Sequence, residues 1–201
     1  GFGSHIQISN FDAVQSYETL PILFNDSLYH VIADHIDSKH IQRYSTKLGL
    51  LKTEEAFEGV VLKGVGSEYN VEFLKEHLVE GEVPTFSDTE NTEQVLVSKT
   101  ICDKLNIKLN DKVYLYFIQQ ESVRARRMFV KGIYETNLTM YDDLFLFTDI
   151  YTVNRLNQWK ENQVSGVEIS LYNYDDLEEA TYNLGDQLDA EEDAYGGIYF
   201  V

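Results

Sequence analysis

Cysteine, proline and positive charge are all scarce in this sequence, and long apolar runs are missing. The single cysteine, Cys102, excludes an internal disulfide framework, and only two prolines occur in 201 residues. Sixteen Lys and Arg stand against 34 Asp and Glu, a formal charge of −18. Phosphate binding needs clustered cations, so a nucleic-acid partner is excluded, and the same field opposes flat docking onto anionic lipid. No apolar run reaches about 18 residues and no signal-peptide pattern opens the chain. As given, it is expected neither to span a membrane nor to export itself, and it is compatible with being a piece of a protein that does both. What is plentiful is apolar and aromatic material, 43% and 13%, enough to exclude disorder.

Periodicity gives the elements. His5 to Phe11 alternates as a strand with Ile6 and Ile8 on one face. Asn25 or Asp26 caps a helix carrying Leu28, Ile32 and Ile36 at i, i+4 and i+8. RYSTKLGLL and AFEGVVLKGVG are extended, and Val60, Val61 and Leu62 form the short continuous run of a covered strand. From Tyr69 the positions Phe73, Leu74, His77 and Leu78 predict a helix closed by Gly81. The polar stretch Glu82 to Glu93, with Pro84 inside it, is a loop.

The stretch from Val95 to Phe147 reads as strand, short helix, strand, basic hairpin tip, strand, acidic turn and strand. VLVS is a strand, Ser98 caps a helix with Ile101, Cys102 and Leu105 inward, and Asn110-Asp111 turns the chain into VYLYF. The facing strand is Met128 to Tyr134. After the turn at Tyr141-Asp142-Asp143 come LFLFT and a helix through Ile150, Val153 and Leu156. VEISL is a further strand, and Asp175 with Glu178 has capping-box spacing ahead of a helix with Leu177, Ala180, Leu184 and Leu188 on one face. Strand plus amphipathic helix therefore recurs near both ends. The economical arrangement is α+β, with residues 1–63 plus 163–201 forming a discontinuous subdomain around an inserted β-rich one at 64–162.

No residue set nominates an active site. There is no G-x-S-x-G elbow, Cys102 lies on the inner side of a helix, and GVG and GG are not phosphate-cradling loops. His30, His35 and His40 are five apart, which rotates each by roughly 140° around a helix and separates them as metal ligands. Asp34 is placed for a polar contact with His30. Asp186, Asp189, Glu191, Glu192 and Asp193 lack the ligand alternation of a calcium loop and read as a solvated helix end. Catalytic, cofactor and metal sites are therefore all read as none. The one departure from the acidic background is Arg124, Arg126 and Arg127, following Gln119 and Gln120. These five residues are the candidate partner-binding set, since Arg forks grip carboxylates. The alternative is local neutralisation of the chain's own acids, such as Asp142 and Asp143.

The run VLVSKTICDKLNIKLNDKVYLYF, then RRMFVKGIYETNLTMYDDLFLFTDIYTVNRLNQ and VSGVEISLYN, resembles the MacB-like periplasmic core domain of ABC transporter permeases, a LolC/LolE/FtsX-like family, in its Bacteroidetes type. Val130, Gly132, Ile133, Tyr134, Asp142, Gly166, Val167 and Glu168 match the family pattern, while Ser98 and Asn110 stand where glycine is usual. The resemblance implies a periplasmic domain of an inner-membrane protein, with a porter-like terminal subdomain and an inserted Sabre-like one. It implies no enzymatic activity and no cofactor. A cytoplasmic ATPase would act through the membrane part, with a second permease subunit (homo- or heterodimer) and a periplasmic carrier, adaptor or lipoprotein client as partners, in lipoprotein release, efflux or mechanotransmission. The hairpin at 119–128 is shorter than the carrier-holding hairpin of the LolC type. A free-standing extracytoplasmic binding or adhesion domain stays open as an alternative, and a hydrolase as a more distant one.

Overall fold

The computed structural model describes residues 6–10, 17–18, 20–173, 175, 177–190 and 198–200. Strand β1 is Ile6–Asn10 and β2 the short Ile22–Leu23. Helix α1, Asp26–His35, starts where the sequence places it, the Asn25 side chain accepting from the Leu28 N–H at 3.0 Å. Leu28 and Ile32 are buried along its inner stripe. Two long strands follow, β3 at Ser38–Lys52 and β4 at Phe57–Val65, paired antiparallel from Tyr44↔Val65 to Lys52↔Phe57.

The helix expected from Tyr69 to Gly81 is cut short. Helix α2 covers only Glu72–Glu76, and Leu78–Gly81 is strand β5. Its Leu78 and Gly81 pair with Tyr134 and Gly132, so sheet pairing overrides the helical spacing of Phe73, Leu74, His77 and Leu78. Gly81 does take the left-handed conformation, with φ of 74°, because a Cβ there would lie 2.3 Å from the Lys131 carbonyl oxygen.

Strand β6, Gln94–Ser98, leads into α3, Lys99–Leu105, where Ser98 Oγ accepts from the Ile101 N–H at 3.1 Å. Ile101, Cys102 and Leu105 face inward as their spacing requires. Strands β7, Lys112–Gln119, and β8, Ser122–Tyr134, form the hairpin. The expected acidic turn is a four-residue helix, α4 at Thr139–Asp142. Strand β9, Phe145–Asp149, ends on Asp149, which caps α5, Ile150–Leu156, by accepting from the Thr152 N–H at 2.7 Å. Strands β10, Gln163–Val164, and β11, Gly166–Leu171, precede α6, Leu177–Ala190, and β12, Ile198–Phe200. Asp175 lies just ahead of α6, its N–H donating to Asn173 Oδ1 at 3.0 Å; the position immediately before the helix is outside the described residues.

The chain adopts the α+β class read from the sequence, and its strand pairing has two parts. β12, β1, β11 and β3 run side by side antiparallel, with α1 and α6 covering one face through Leu28, Ile32, Leu184 and Leu188. The remaining pairings close on themselves: β3 pairs β4, β4 pairs β9, β9 meets β6, β6 pairs β8, β8 pairs β7, and β7 returns to β3 at Leu50↔Tyr116 and Lys52↔Tyr114. Six strands thus form a closed barrel, which removes exposed edges around the ring. Leu51, Leu62, Val97, Leu115, Phe117, Val130 and Leu146 fill its core with Val153 and Leu156 of α5. Gly49 leaves room for the Phe117 ring, because a Cβ there would sit 2.7 Å from Phe117 Cε1. Among the described residues no helix is long and apolar enough to cross a membrane.

Candidate functional site

The candidate partner-binding residues lie on the β7–β8 hairpin. Its tip is Gln120-Glu121, both left-handed with φ of 42° and 67°, between the paired Gln119 and Ser122. Of the two placements open from the sequence, the hairpin tip or the start of its arm, the structure shows the second: Arg124, Arg126 and Arg127 lie within β8, and alternation divides them. Arg124 faces with Phe117 and Arg126 with Leu115, on the side that becomes the barrel core, whereas Arg127 sits beside Tyr114 on the outer face. Gln119 is an internal strut, its Nε2 donating to the Leu156 carbonyl oxygen at the end of α5, and its Oε1 is buried with no partner among the described residues. Gln120 is exposed at the tip.

Among the described residues neither acid suggested as an internal counter-charge pairs with these arginines. Asp142 is buried and accepts from the Thr136 N–H at 3.0 Å, Thr136 Oγ1 at 2.7 Å and the Asn137 N–H at 2.9 Å, which fixes the loop ahead of α4. Asp143 forms the carboxyl-terminal cap position of α4. The acid that Arg127 meets is Glu93, at 3.5 Å, while its guanidinium lies 5.5 Å from the centroid of the Phe129 ring.

A second group was hidden in the strand patterns. Lys63 of β4 and Glu168 of β11 are both buried, and Lys63 Nζ donates to Glu168 Oε1 at 2.5 Å. The rings of Tyr44, Tyr69, Phe145 and Phe147 surround the ammonium at 5.3 to 6.0 Å. Burial alone would pull the Lys63 pKa down. The charge and hydrogen bond of Glu168, with smaller contributions from Tyr141 and Tyr44, outweigh it and hold the ammonium above its ordinary value. Burial, reinforced by Glu168, pushes the Tyr44 and Tyr69 phenols up, so both remain neutral hydroxyls. Gln7 of β1 donates to the Tyr44 hydroxyl, extending the network to the far strand.

This box is covered by the loop carrying α2, through Tyr69, Leu74 and Phe86, and Arg43 of β3 clamps that loop down. Its guanidinium meets Glu68 twice at 2.8 Å and Asp88 at 2.6 Å, and its N–H donates to Glu68 Oε2 at 2.9 Å. A Cβ on Gly66 would lie 2.3 Å from Arg43 Nη2, so the clamp requires glycine there. Burial opposes ionisation of Glu68 and Asp88, but the hydrogen bonds and charge of Arg43 at Glu68, and the hydrogen bonds of Ser67 followed by those and the charge of Arg43 at Asp88, hold both carboxyls below their usual range. Depressed carboxyl pKa values contribute stability above the unfolded values, about 4.3 for Glu and 3.9 for Asp, that is lost as pH falls through the folded ones. Arg43→Met is expected to cost about 1–2 kcal/mol at pH 7, the exposure of the pair limiting the effect. Urea unfolding measured from pH 7 to pH 3 should show that deficit shrinking below about pH 4. A deficit independent of pH would assign the loss to packing.

The remaining sequence candidates do not converge. His30 and His35 lie on α1, where His35 Nδ1 donates to the Val31 carbonyl oxygen at 2.8 Å; His40 is on β3, with Nε2 3.3 Å from Asn70 Nδ2. Among the described residues no three His, Cys, Asp or Glu side chains gather as a metal site. Asp186 and Asp189 are exposed on α6, while Glu191, Glu192 and Asp193 lie outside the described residues. Cys102 is buried, and burial pushes its thiol up to about 12, far from a nucleophile.

A helix-backed antiparallel sheet sharing a strand with a closed barrel is the fold that this chain has in common with the extracellular domain of YknZ and the periplasmic region of MacB. No protein-family model and no curated protein sequence matches the chain. The likeness extends over the extracellular domain of the noncanonic ABC-type transporter YknZ from Gram-positive bacteria, at TM-score 0.61 and 14% identity, covering 98% of both chains. It extends equally over the periplasmic region of MacB from Actinobacillus actinomycetemcomitans, at TM-score 0.61 and 14% identity, covering 98% of this chain and 87% of that one.

Proposed function

We propose that this chain is the extracytoplasmic domain of an ABC transporter permease subunit, lying on the periplasmic side of an inner membrane and relaying ATP-driven motion to a periplasmic client or partner. The observation that carries this reading is a likeness of fold along 98% of the chain to two such domains. The relay would connect two bodies, residues 1–63 plus 163–201 and residues 64–162. In support, one apolar cluster draws on residues 6–41 and 164–188 with Ile150 alone from between, and another is built mostly from 95–156. Strand β3 reaches from one cluster into the other, about 50 Å of continuous backbone at a strand's rise per residue. Such a strand transmits displacement without chemistry. An ATPase and a second permease subunit, in a homo- or heterodimer, are the partners this role requires; carrier, adaptor and lipoprotein clients fit it, in lipoprotein release, efflux or mechanotransmission.

The gene decides the class. Apolar spans of about 20 residues are expected on both sides of this segment. An export signal upstream with no spans would replace this reading with a free-standing binding domain. Within the permease reading, the expected partner-binding set Arg124, Arg126, Arg127, Gln119 and Gln120 would act through its exposed members, Arg127 and Gln120, since Gln119 is an internal strut and Arg124 and Arg126 face the core side. Reversing the three arginines to Glu is expected to abolish partner pull-down and transport in cells. Unchanged pull-down and transport in the triple variant would remove the hairpin from the contact.

A further inference from the structure

The outer face of the barrel wall formed by β3, β4, β7 and β8 is unlike the rest of this molecule. Register places Lys52, Tyr114 and Arg127 side by side across three strands, and Leu50, Tyr116 and Ala125 side by side in the next rung. Ile118 and Val123 continue the apolar end, and Lys112 with Phe129 the cationic end. Of the fifteen large apolar residues exposed among the described residues, seven lie on this face: Leu48, Leu50, Phe57, Tyr114, Ile118, Val123 and Phe129. Ile118 at 74% and Val123 at 65% exposure are costly to leave in water unless something covers them.

Along its strands the charge on this face is inverted, while Glu54, Glu55 and Asp111 flank the groove lined by Lys52, Lys112 and Tyr114. Acids outnumber bases 34 to 16 in the chain, yet the strand residues on this face include Lys52, Lys112 and Arg127 and no carboxylate. Arg127 already shows what it accepts, since exposed Glu93 reaches it from a neighbouring loop at 3.5 Å, a weak and exchangeable contact. Lys52 and Arg127 are also held over rings, at 5.9 Å from Tyr116 and 5.5 Å from Phe129, which fixes where an anion would meet them. Three strands at about 4.8 Å spacing form a strip about as wide as a helix, and the rise from Lys112 to Ile118, about 20 Å, holds roughly 13 helical residues.

We infer that this face docks an amphipathic helix of a partner protein, its apolar side over Leu50, Tyr116, Ile118 and Val123 and its carboxylates against Lys52 and Arg127. The inference deepens the partner-binding reading of the hairpin and rests on it, but it assigns contact to the outer face, so Arg127 takes part while Arg124 and Arg126 do not. It also separates the carboxylates from the apolar contact along the helix, which a uniformly acidic partner would not satisfy.

The probe is a synthetic 14-residue helix with Leu at i, i+3, i+4 and i+7 and a Glu cluster at one end, titrated into the isotopically labelled chain. Amide shifts are expected on β7, β8 and the end of β3, with binding weakened at least about tenfold in Lys52→Glu/Arg127→Glu and in Ile118→Ser/Val123→Ser. Arg124→Glu/Arg126→Glu should change it less than about twofold, and salt should weaken it. The same peptide with Lys for Glu should not bind. No shifts with the Glu peptide, shifts confined to other surfaces, or equal loss in the Arg124/Arg126 variant would each overturn the inference. So would binding of this face to phosphatidylglycerol vesicles in place of the peptide, or concentration-dependent self-association lost in Ile118→Ser/Val123→Ser, which would assign it to lipid or to a second copy. The broader reading fails separately, if the triple arginine reversal leaves transport intact.

Discussion

Replacing Glu168 by Gln is expected to remove about 3–5 kcal/mol of unfolding free energy, a large share of the stability of a domain this size. Lys63 would then stand charged and buried, its ammonium surrounded by rings that attract it far less than a carboxylate at 2.5 Å does. Urea denaturation of wild type and variant measures the loss. The paired replacement Lys63→Met/Glu168→Leu should recover most of it, ending within about 2 kcal/mol of wild type, because the desolvation cost of both ions disappears together. A Glu168→Gln loss below about 1 kcal/mol would mean that water reaches the pair and that the aromatic box is open. The pH dependence has a definite sign. Lys63 is held above its ordinary value, so its contribution is fully present below the unfolded lysine pKa of about 10.4 and is lost as pH rises through the folded value. In Glu168→Gln burial acts on Lys63 without that opposition and pulls it below the unfolded value, so the difference between wild type and variant should shrink as pH rises from 7 toward about 10.

Phe117→Ala is expected to cost about 3–5 kcal/mol by the same measurement, because its ring is fully buried inside a closed wall with little freedom to collapse into the space. Its fit to Gly49 supplies an internal check. Gly49→Ala alone should destabilise, since the new Cβ would lie 2.7 Å from Phe117 Cε1 and 3.3 Å from the Tyr116 carbonyl oxygen. In the Phe117→Ala background the same methyl enters a cavity, so the two losses should fall short of additivity by about 1 kcal/mol or more. Strict additivity would place the ring elsewhere than against Gly49.

Short-range signals were legible. Asn25 and Ser98 have cap side chains followed by correctly spaced apolar residues, and the structure uses both as caps. VYLYF alternates on the page and in the barrel wall. Long-range pairing was not legible: the spacing of Phe73, Leu74, His77 and Leu78 satisfies a helix, and only the presence of β8 beside Leu78–Gly81 turns the end of it into an edge strand. The candidate site divided in the same way. The separation of Arg124 and Arg126 from Arg127 follows from strand parity alone, once the strand is extended back to Ser122. VYLYFI, apolar on both faces, was the available signal for an uncovered outer surface. Nothing in the sequence pairs Lys63 with Glu168: Lys63 closes a continuous apolar run, Glu168 stands out only as a match to the family pattern, and the two meet across more than a hundred residues of chain.

Two of the barrel's six staves, β3 and β4, belong to the chain before residue 66, so the segment from 66 to 162 cannot complete the ring by itself. Excised, it would present β7 and β9 as raw borders ready to associate with any other strand. Insertion and host are in this sense not autonomous modules, and whatever shape the barrel takes is dictated in part by the curvature of strands it borrows.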